Sequence, residues 1–313
     1  MYDILIITRK ANYNSCEMMK NNLLIAIIIC LLTFSLFSCG SGGAAANQGS
    51  EGAEKAGTKP EETDKVGTKP EEIQKRGVIK VGTTGDYQPM SYLDPETGSY
   101  VGFDVELAED LADSLGVDIE YVETSWPSLM EDTLTGKFDL AICGITVTDA
   151  RKEQALMSDG YFENGKTVLC REGDADRYTS LEAINRPEVR VMENPGGLNE
   201  QFARENLPEA TLIIHDANQE IPGLIASGEA DVMITEIMEA GYYVGQDDRL
   251  AAPLIHEPFT HGELGVLMPK GSEDLLNYVN EFLAKEKDSG RIDELAEDYF
   301  YKYAEEDELE PAA

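Results

Sequence analysis

The sequence predicts an α/β fold, and three observations carry that prediction. Short runs rich in β-branched and aromatic residues alternate with amphipathic helical patterns from about residue 77. The same rhythm returns from about residue 188. The chain has 313 residues and is 42% hydrophobic, enough for one large domain or two ordinary ones with a real core. Strands that alternate with helices define βα units.

The elements follow in order. "GVIKVGTTGDYQPMSY", residues 77–92, opens with a β-rich run and ends in turn residues. "DVELAEDLADSLG" is a helix with Asp104 as its N-cap; Leu107, Ala108, Leu111, Ala112 and Leu115 share one face, and Gly116 stops it. "VDIEYVET" is a strand, and "WPSLMEDTLTGK" is a short helix with Pro127 in its first turn. "FDLAICGIT" is a strand flanked by turns. Next come the strand "EVRVMEN", a helix from Leu198, the strand "ATLIIHD", a helix from Ile221 and the strand "ADVMITE". "ELGVLMPKG" leads into two helices, "SEDLLNYVNEFLAKEKDSG" and "RIDELAEDYFYKYAEE", before an acidic tail over 304–313.

Ahead of this lies a targeting segment, residues 1–38. Lys20 precedes an apolar run from Leu23 to Phe37, short for a membrane span, and Met18 or Met19 is a candidate start. The run ends in "LFSC" followed by "GSGGAAANQGS". This resembles a bacterial lipobox, with Cys39 as the lipidated residue; a plain signal peptide with an incidental cysteine is the alternative. Residues 39–75 are Gly, Ala, Pro and charge, and "GTKPEE" recurs ten residues on, so they read as a disordered tether with folding from about Arg76. The expected location is therefore extracytoplasmic and membrane-anchored. Of five cysteines, Cys143 and Cys170 remain in the folded part, both in strand-like runs, and read as two buried thiols. No cysteine or histidine spacing suggests zinc, and His215, His256 and His261 read as surface or hinge residues. The formal net charge of −35 argues against nucleic-acid partners. It does not forbid an anionic ligand, provided local cations are focused in the site.

"GFDVELAEDLADSL" and "KFDLAICGITVTDARKEQ" resemble the amino-acid-type bacterial extracellular solute-binding proteins over about residues 76–303. The resemblance implies the two-lobed type II periplasmic-binding fold with a ligand cleft between lobes. Lobe one would be 76–171 plus 262–303, and lobe two 176–257. A narrower resemblance is carried by "VGTTGDYQPMSY", "TSWPSLM", "GYFENGKT", "NPGGLNEQFAREN" and "MITEIMEA", five segments in order. Together they are similar to the cyclohexadienyl dehydratases, enzymes on the solute-binding fold that convert prephenate to phenylpyruvate or arogenate to phenylalanine. No cofactor is implied.

Residue roles follow from that resemblance. Glu239 matches the general acid that protonates the leaving hydroxyl, and must have a raised pKa to hold its proton. By spacing alone Glu239 would sit on a solvated helix face. Glu236 stands at the ammonium-binding position, where aspartate is more usual. Arg151, assisted by Thr146, would bind the side-chain carboxylate in a bidentate fashion. Amides at Gly197, Leu198 and Asn199, at a helix start, would meet the same carboxylate; the dehydratases commonly have a hydroxyl residue where Leu198 stands. Trp126 and Tyr87 would form opposite walls around the ring, with Asp86 either hydrogen-bonded to the ring hydroxyl or positioning a partner. Lys166 would neutralise the ring carboxylate. The competing reading is the amino-acid-binding subunit of an importer, with a membrane permease as partner and no catalysis.

Overall fold

The structure, a computed structural model, describes residues 68–300. The signal segment, Cys39, most of the expected tether and the acidic tail lie outside the described residues. Within them, two five-stranded sheets organise two lobes. The first sheet has the spatial order Asp118–Glu123, Val78–Thr83, Leu140–Ala141, Leu267–Met268, Leu156–Met157. Its first three strands are parallel, and Leu267–Met268 runs against both its neighbours. The second has the order Thr211–Ile214, Arg190–Glu193, Val232–Glu236, Lys166–Arg171, Leu250–Ala251. Its first three strands are again parallel, and Lys166–Arg171 is antiparallel to Val232–Glu236.

Each sheet is packed on both faces. Helix Phe103–Leu115 lays Leu107, Ala108, Leu111, Ala112 and Leu115 on the first sheet, with Ile79 and Val81 beneath them. Leu129, Phe138, Ile145 and Leu267 fill the other face. In the second lobe, Val168, Val191 and Ile234 point one way, and Leu169, Met192 and Met233 the other, as a two-residue side-chain period requires. Between the lobes, Phe162–Asn164 pairs antiparallel with Gly262–Leu264, a two-stranded connection. Cys143 and Cys170 are buried free thiols, as expected. Among the described residues no helix is long and apolar enough to cross a membrane.

Five expectations need correction. Folded structure begins earlier than Arg76: Lys69–Arg76 is a helix, capped reciprocally by Thr68 and Glu71, with Ile73 fully buried in the first lobe. The capping box T-x-x-E was legible, but its repetition in the tether disguised it. Asp104 is not an N-cap. Gly102, at φ 137°, precedes the helix, and Asp104 lies buried inside the first turn. There its carboxylate accepts from the Tyr161 hydroxyl and the Gly144 amide. Pro127 stands in a turn ahead of helix Leu129–Leu134 rather than in its first turn. The strand read as "FDLAICGIT" is only Leu140–Ala141. The lobe boundary at 171 falls too late, because Lys166–Arg171 is an inner strand of the second sheet.

Candidate functional site

Register places the first pair of site residues. In the antiparallel ladder Glu236 lies directly opposite Lys166, so both side chains leave the same face of the second sheet. Lys166 Nζ reaches Glu236 Oε1 at 3.0 Å and also donates to Asn199 Oδ1. Glu236 accepts a second hydrogen bond, from the Tyr87 hydroxyl of the other lobe. Burial and the nearby Glu236 and Glu239 push the Tyr87 pKa well above the usual phenol value, so it remains a donor.

These groups border a cavity between the lobes. Lobe one supplies Tyr87, Trp126, Gly144, Thr146 and Arg151; lobe two supplies Asn194, Gly197, Leu198, Asn199, Asn218 and Glu236. Its free volume is about 20 Å³, room for about one water molecule. A six-membered ring enters only if the lobes part. A larger cavity of about 290 Å³ adjoins it, sharing Thr146, Leu198 and Glu236 and lined further by Lys166 and His261. Gly144, at φ 73°, is required here: a Cβ would stand 2.2 Å from the Tyr87 ring.

Tyr87 and Trp126 are not opposite walls. Their rings meet edge to face, 5.7 Å apart at 86°, and form one continuous corner. Asp86 does not line the cavity; its Oδ1 accepts from Trp126 Nε1 at 3.1 Å and so fixes the indole. Burial raises the Asp86 pKa, against the hydrogen bonds that lower it. Arg151 is half-buried on helix Asp149–Gln154, whose N-cap is Thr148. Its Nη1 donates to the Thr146 carbonyl at 2.6 Å, and it forms no ion pair among the described residues. Burial lowers its pKa from the ordinary arginine value, a shift that an entering carboxylate relieves. Gly197 caps helix Leu198–Asn206, so its first amides border the cavity.

Glu239 stands one layer behind. It is fully buried in the first turn of helix Ile237–Gln246 and lines neither cavity. Oε2 meets the Thr235 hydroxyl, and Oε1 accepts from Asn218 Nδ2 at 2.8 Å. Burial, first of all, and then the charges of Glu236 and Asp86 raise its pKa to about 8, against hydrogen bonds from Thr235 and Asn218. At neutral pH this carboxyl holds its proton. The solvated-face alternative left by spacing alone is thus excluded.

Sequence reasoning missed Asn194, Asn218 and the buried Glu193. Asn194 was visible only as part of the "NPGG" turn, and Asn218 lies in a polar stretch that reads as an ordinary loop. Glu193 is fully buried; its Oε1 accepts from the Ile234 amide at 2.7 Å, while Oε2 has no partner among the described residues.

A two-lobed α/β fold, with a small cavity between the lobes and a half-buried arginine on its wall, defines a solute-binding protein. The chain belongs to the bacterial extracellular solute-binding proteins, family 3, whose model matches residues 79–302. Among its relatives is the cyclohexadienyl dehydratase of Pseudomonas aeruginosa, 40% identical over 216 residues, 69% of this chain and 80% of that protein. The arginine-binding extracellular protein ArtP of Bacillus subtilis is 28% identical over 286 residues, 90% of this chain and 98% of that one. A crystal structure of the ancestral amino acid-binding protein AncCDT-1, a precursor of cyclohexadienyl dehydratase, matches with a TM-score of 0.69 at 39% identity. It covers 74% of this chain and 99% of that one.

Proposed function

We propose that the protein is a cofactor-free dehydratase that converts prephenate to phenylpyruvate, arogenate to phenylalanine, or both. The observation that carries this reading is Glu239, a carboxyl kept protonated by burial directly behind the cavity wall. Prephenate holds its own driving force. The bond to the ring carboxylate breaks, its electrons complete the aromatic ring, and the ring C–O bond breaks. Hydroxide is a poor leaving group, and a proton from Glu239 turns it into water. Carbon dioxide and water leave together, so electrons and atoms balance without a redox partner.

The remaining roles divide the cavity. Arg151 takes the side-chain carboxylate, with Thr146 and the amides at Gly197, Leu198 and Asn199 beside it. The Tyr87–Trp126 corner and its Asp86 brace shape the ring site. Lys166 faces the adjoining cavity and meets the ring carboxylate, while Glu236 orients Lys166 and reads the amine of arogenate. Outside the cytoplasm, Cys39 tethers the protein to the membrane by lipid. The 40% identity to a dehydratase supports the reading.

A second reading is favoured by a different observation: many relatives are named for the amino acids they bind, the arginine-binding protein among them. In it, Arg151 and Glu236 hold an amino acid for delivery to a permease and nothing is broken. One assay separates the two. The chain, freed only of its signal segment so that Ile73 keeps its place in the core, is mixed with prephenate against a no-enzyme control. Phenylpyruvate appearing faster than the spontaneous background supports the lyase. A rate equal to background, with tight amino-acid binding, leaves the importer subunit.

A further inference from the structure

Asn218 lines the cavity from the second lobe with its amide only half used. It is 3% exposed, and its Nδ2 donates to two acceptors, the Asp86 carbonyl at 3.1 Å and Glu239 Oε1 at 2.8 Å. The Asp86 carbonyl can only accept, which fixes the amide orientation and leaves Oδ1 on the other side. That oxygen is buried and has no partner among the described residues. A buried acceptor without a donor is unfavourable, and native structures rarely leave one without a reason.

We infer that Asn218 is a specificity-determining residue whose Oδ1 accepts the hydrogen bond of a hydroxyl on the bound ligand. The inference rests on the dehydratase reading, in which the ligand carries one ring hydroxyl. A single planar amide then does two things. Nδ2 holds Glu239 Oε1, and Oδ1, on the same amide, holds the hydroxyl hydrogen. The residue that holds the Glu239 carboxyl thereby also holds the hydroxyl, and so keeps leaving group and acid on either side of one amide. Asn218 belongs to lobe two and Asp86 to lobe one, so the amide is set only when the lobes meet. Gln219 Nε2, donating to the Gly85 carbonyl at 3.1 Å, closes the same seam. A site built to accept a ligand hydroxyl discriminates strongly against the analogue that lacks it.

The test compares two ligands, prephenate, which carries that hydroxyl together with the ring carboxylate, and its product phenylpyruvate, which carries neither; Asn218 Oδ1, an acceptor, cannot bind the carboxylate. Both are titrated calorimetrically into the full chain carrying Glu239→Gln, which keeps an acceptor for Asn218 Nδ2 and suppresses turnover. Adding Asn218→Leu is expected to weaken prephenate about tenfold, the worth of a hydrogen bond of ordinary strength, while phenylpyruvate changes less than about twofold. Asn218→Asp, which keeps an acceptor oxygen, is expected to retain the discrimination that leucine loses. Equal losses for both ligands, or none, overturn the inference and leave the dehydratase reading standing. Failure of the Glu239→Gln parent to bind prephenate, with an amino acid still bound, overturns both.

Discussion

The two walls of the cavity are built from opposite materials. Lobe one presents two aromatic rings, a glycine, a threonine and the guanidinium of Arg151. Lobe two gathers three buried carboxyl groups, Glu193, Glu236 and Glu239, around one ammonium, Lys166. One wall attracts an anion. The other stores protons, because a carboxyl without a cation beside it in a buried setting favours its neutral form. Glu236 and Glu239 lie three residues apart, yet the first is ion-paired and touches the cavity, and the second is enclosed and does not. In the proposed reaction the guanidinium that takes the side-chain carboxylate and the carboxyl that gives the proton come from different lobes, and closure brings them into one site.

The sharpest way to break this division is Glu239→Gln. It keeps shape and both hydrogen-bond partners but removes the acid, and phenylpyruvate formation is expected to fall by about two to four orders of magnitude. Prephenate binding, followed by calorimetry, is expected to change far less; a parallel loss of binding would mean that Glu239 itself also recognises the substrate.

Arg151→Lys tests the other wall. Lysine keeps the charge and loses the planar fork, so affinity for carboxylate ligands is expected to drop about ten- to a hundredfold, measured by titration. This outcome holds for a dehydratase and for an importer subunit alike. Unchanged affinity would remove lobe one from recognition.

Acidity gives a smaller signal. Glu239 must be protonated to act, so the rate is expected to be level near neutrality and to fall as pH rises through about 8, about tenfold per unit beyond it. Stability carries the same sign. The folded pKa of about 8 lies above the ordinary value of 4.5, so the fold binds the extra proton between them. The contribution is full below the ordinary value and is lost as pH rises through about 8. A Tm series across that window is expected to decline more steeply for the wild type than for Glu239→Gln.

Glu236→Gln is expected to do least to substrate choice. Lys166 and Tyr87 already engage this carboxylate, so the arogenate-to-prephenate ratio of kcat/KM should move toward prephenate by only a few-fold. An unchanged ratio would mean that Glu236 does not read the amine and serves only to orient Lys166.

Much of the site is legible in the sequence. Tyr87, Trp126, Thr146, Arg151, Gly197, Leu198, Asn199 and Glu236, each singled out there, surround one cavity. Segment resemblance finds them, since no two of the lobe-one residues share a periodic face. Asn218 and Glu193 escape because a polar loop residue and an acid near a strand end look alike whether solvated or enclosed.

Most of the elements follow from the sequence, although helix Lys69–Arg76 does not and the strand at Leu140–Ala141 reads too long. Helix Phe103–Leu115 buries the positions that its period of 3.6 selects, because amphipathicity is a property of one segment; strand Val232–Glu236 is buried at every position, as an inner strand covered on both faces is. What meets what is a matter of tertiary structure. The ladder register sets Lys166 against Glu236, and lobe closure sets Tyr87 on the same carboxylate and Asn218 on the Asp86 carbonyl. Packing also decides the proton on Glu239. Whether a carboxyl is charged depends on the water and charges around it, and these come from segments far apart in the chain.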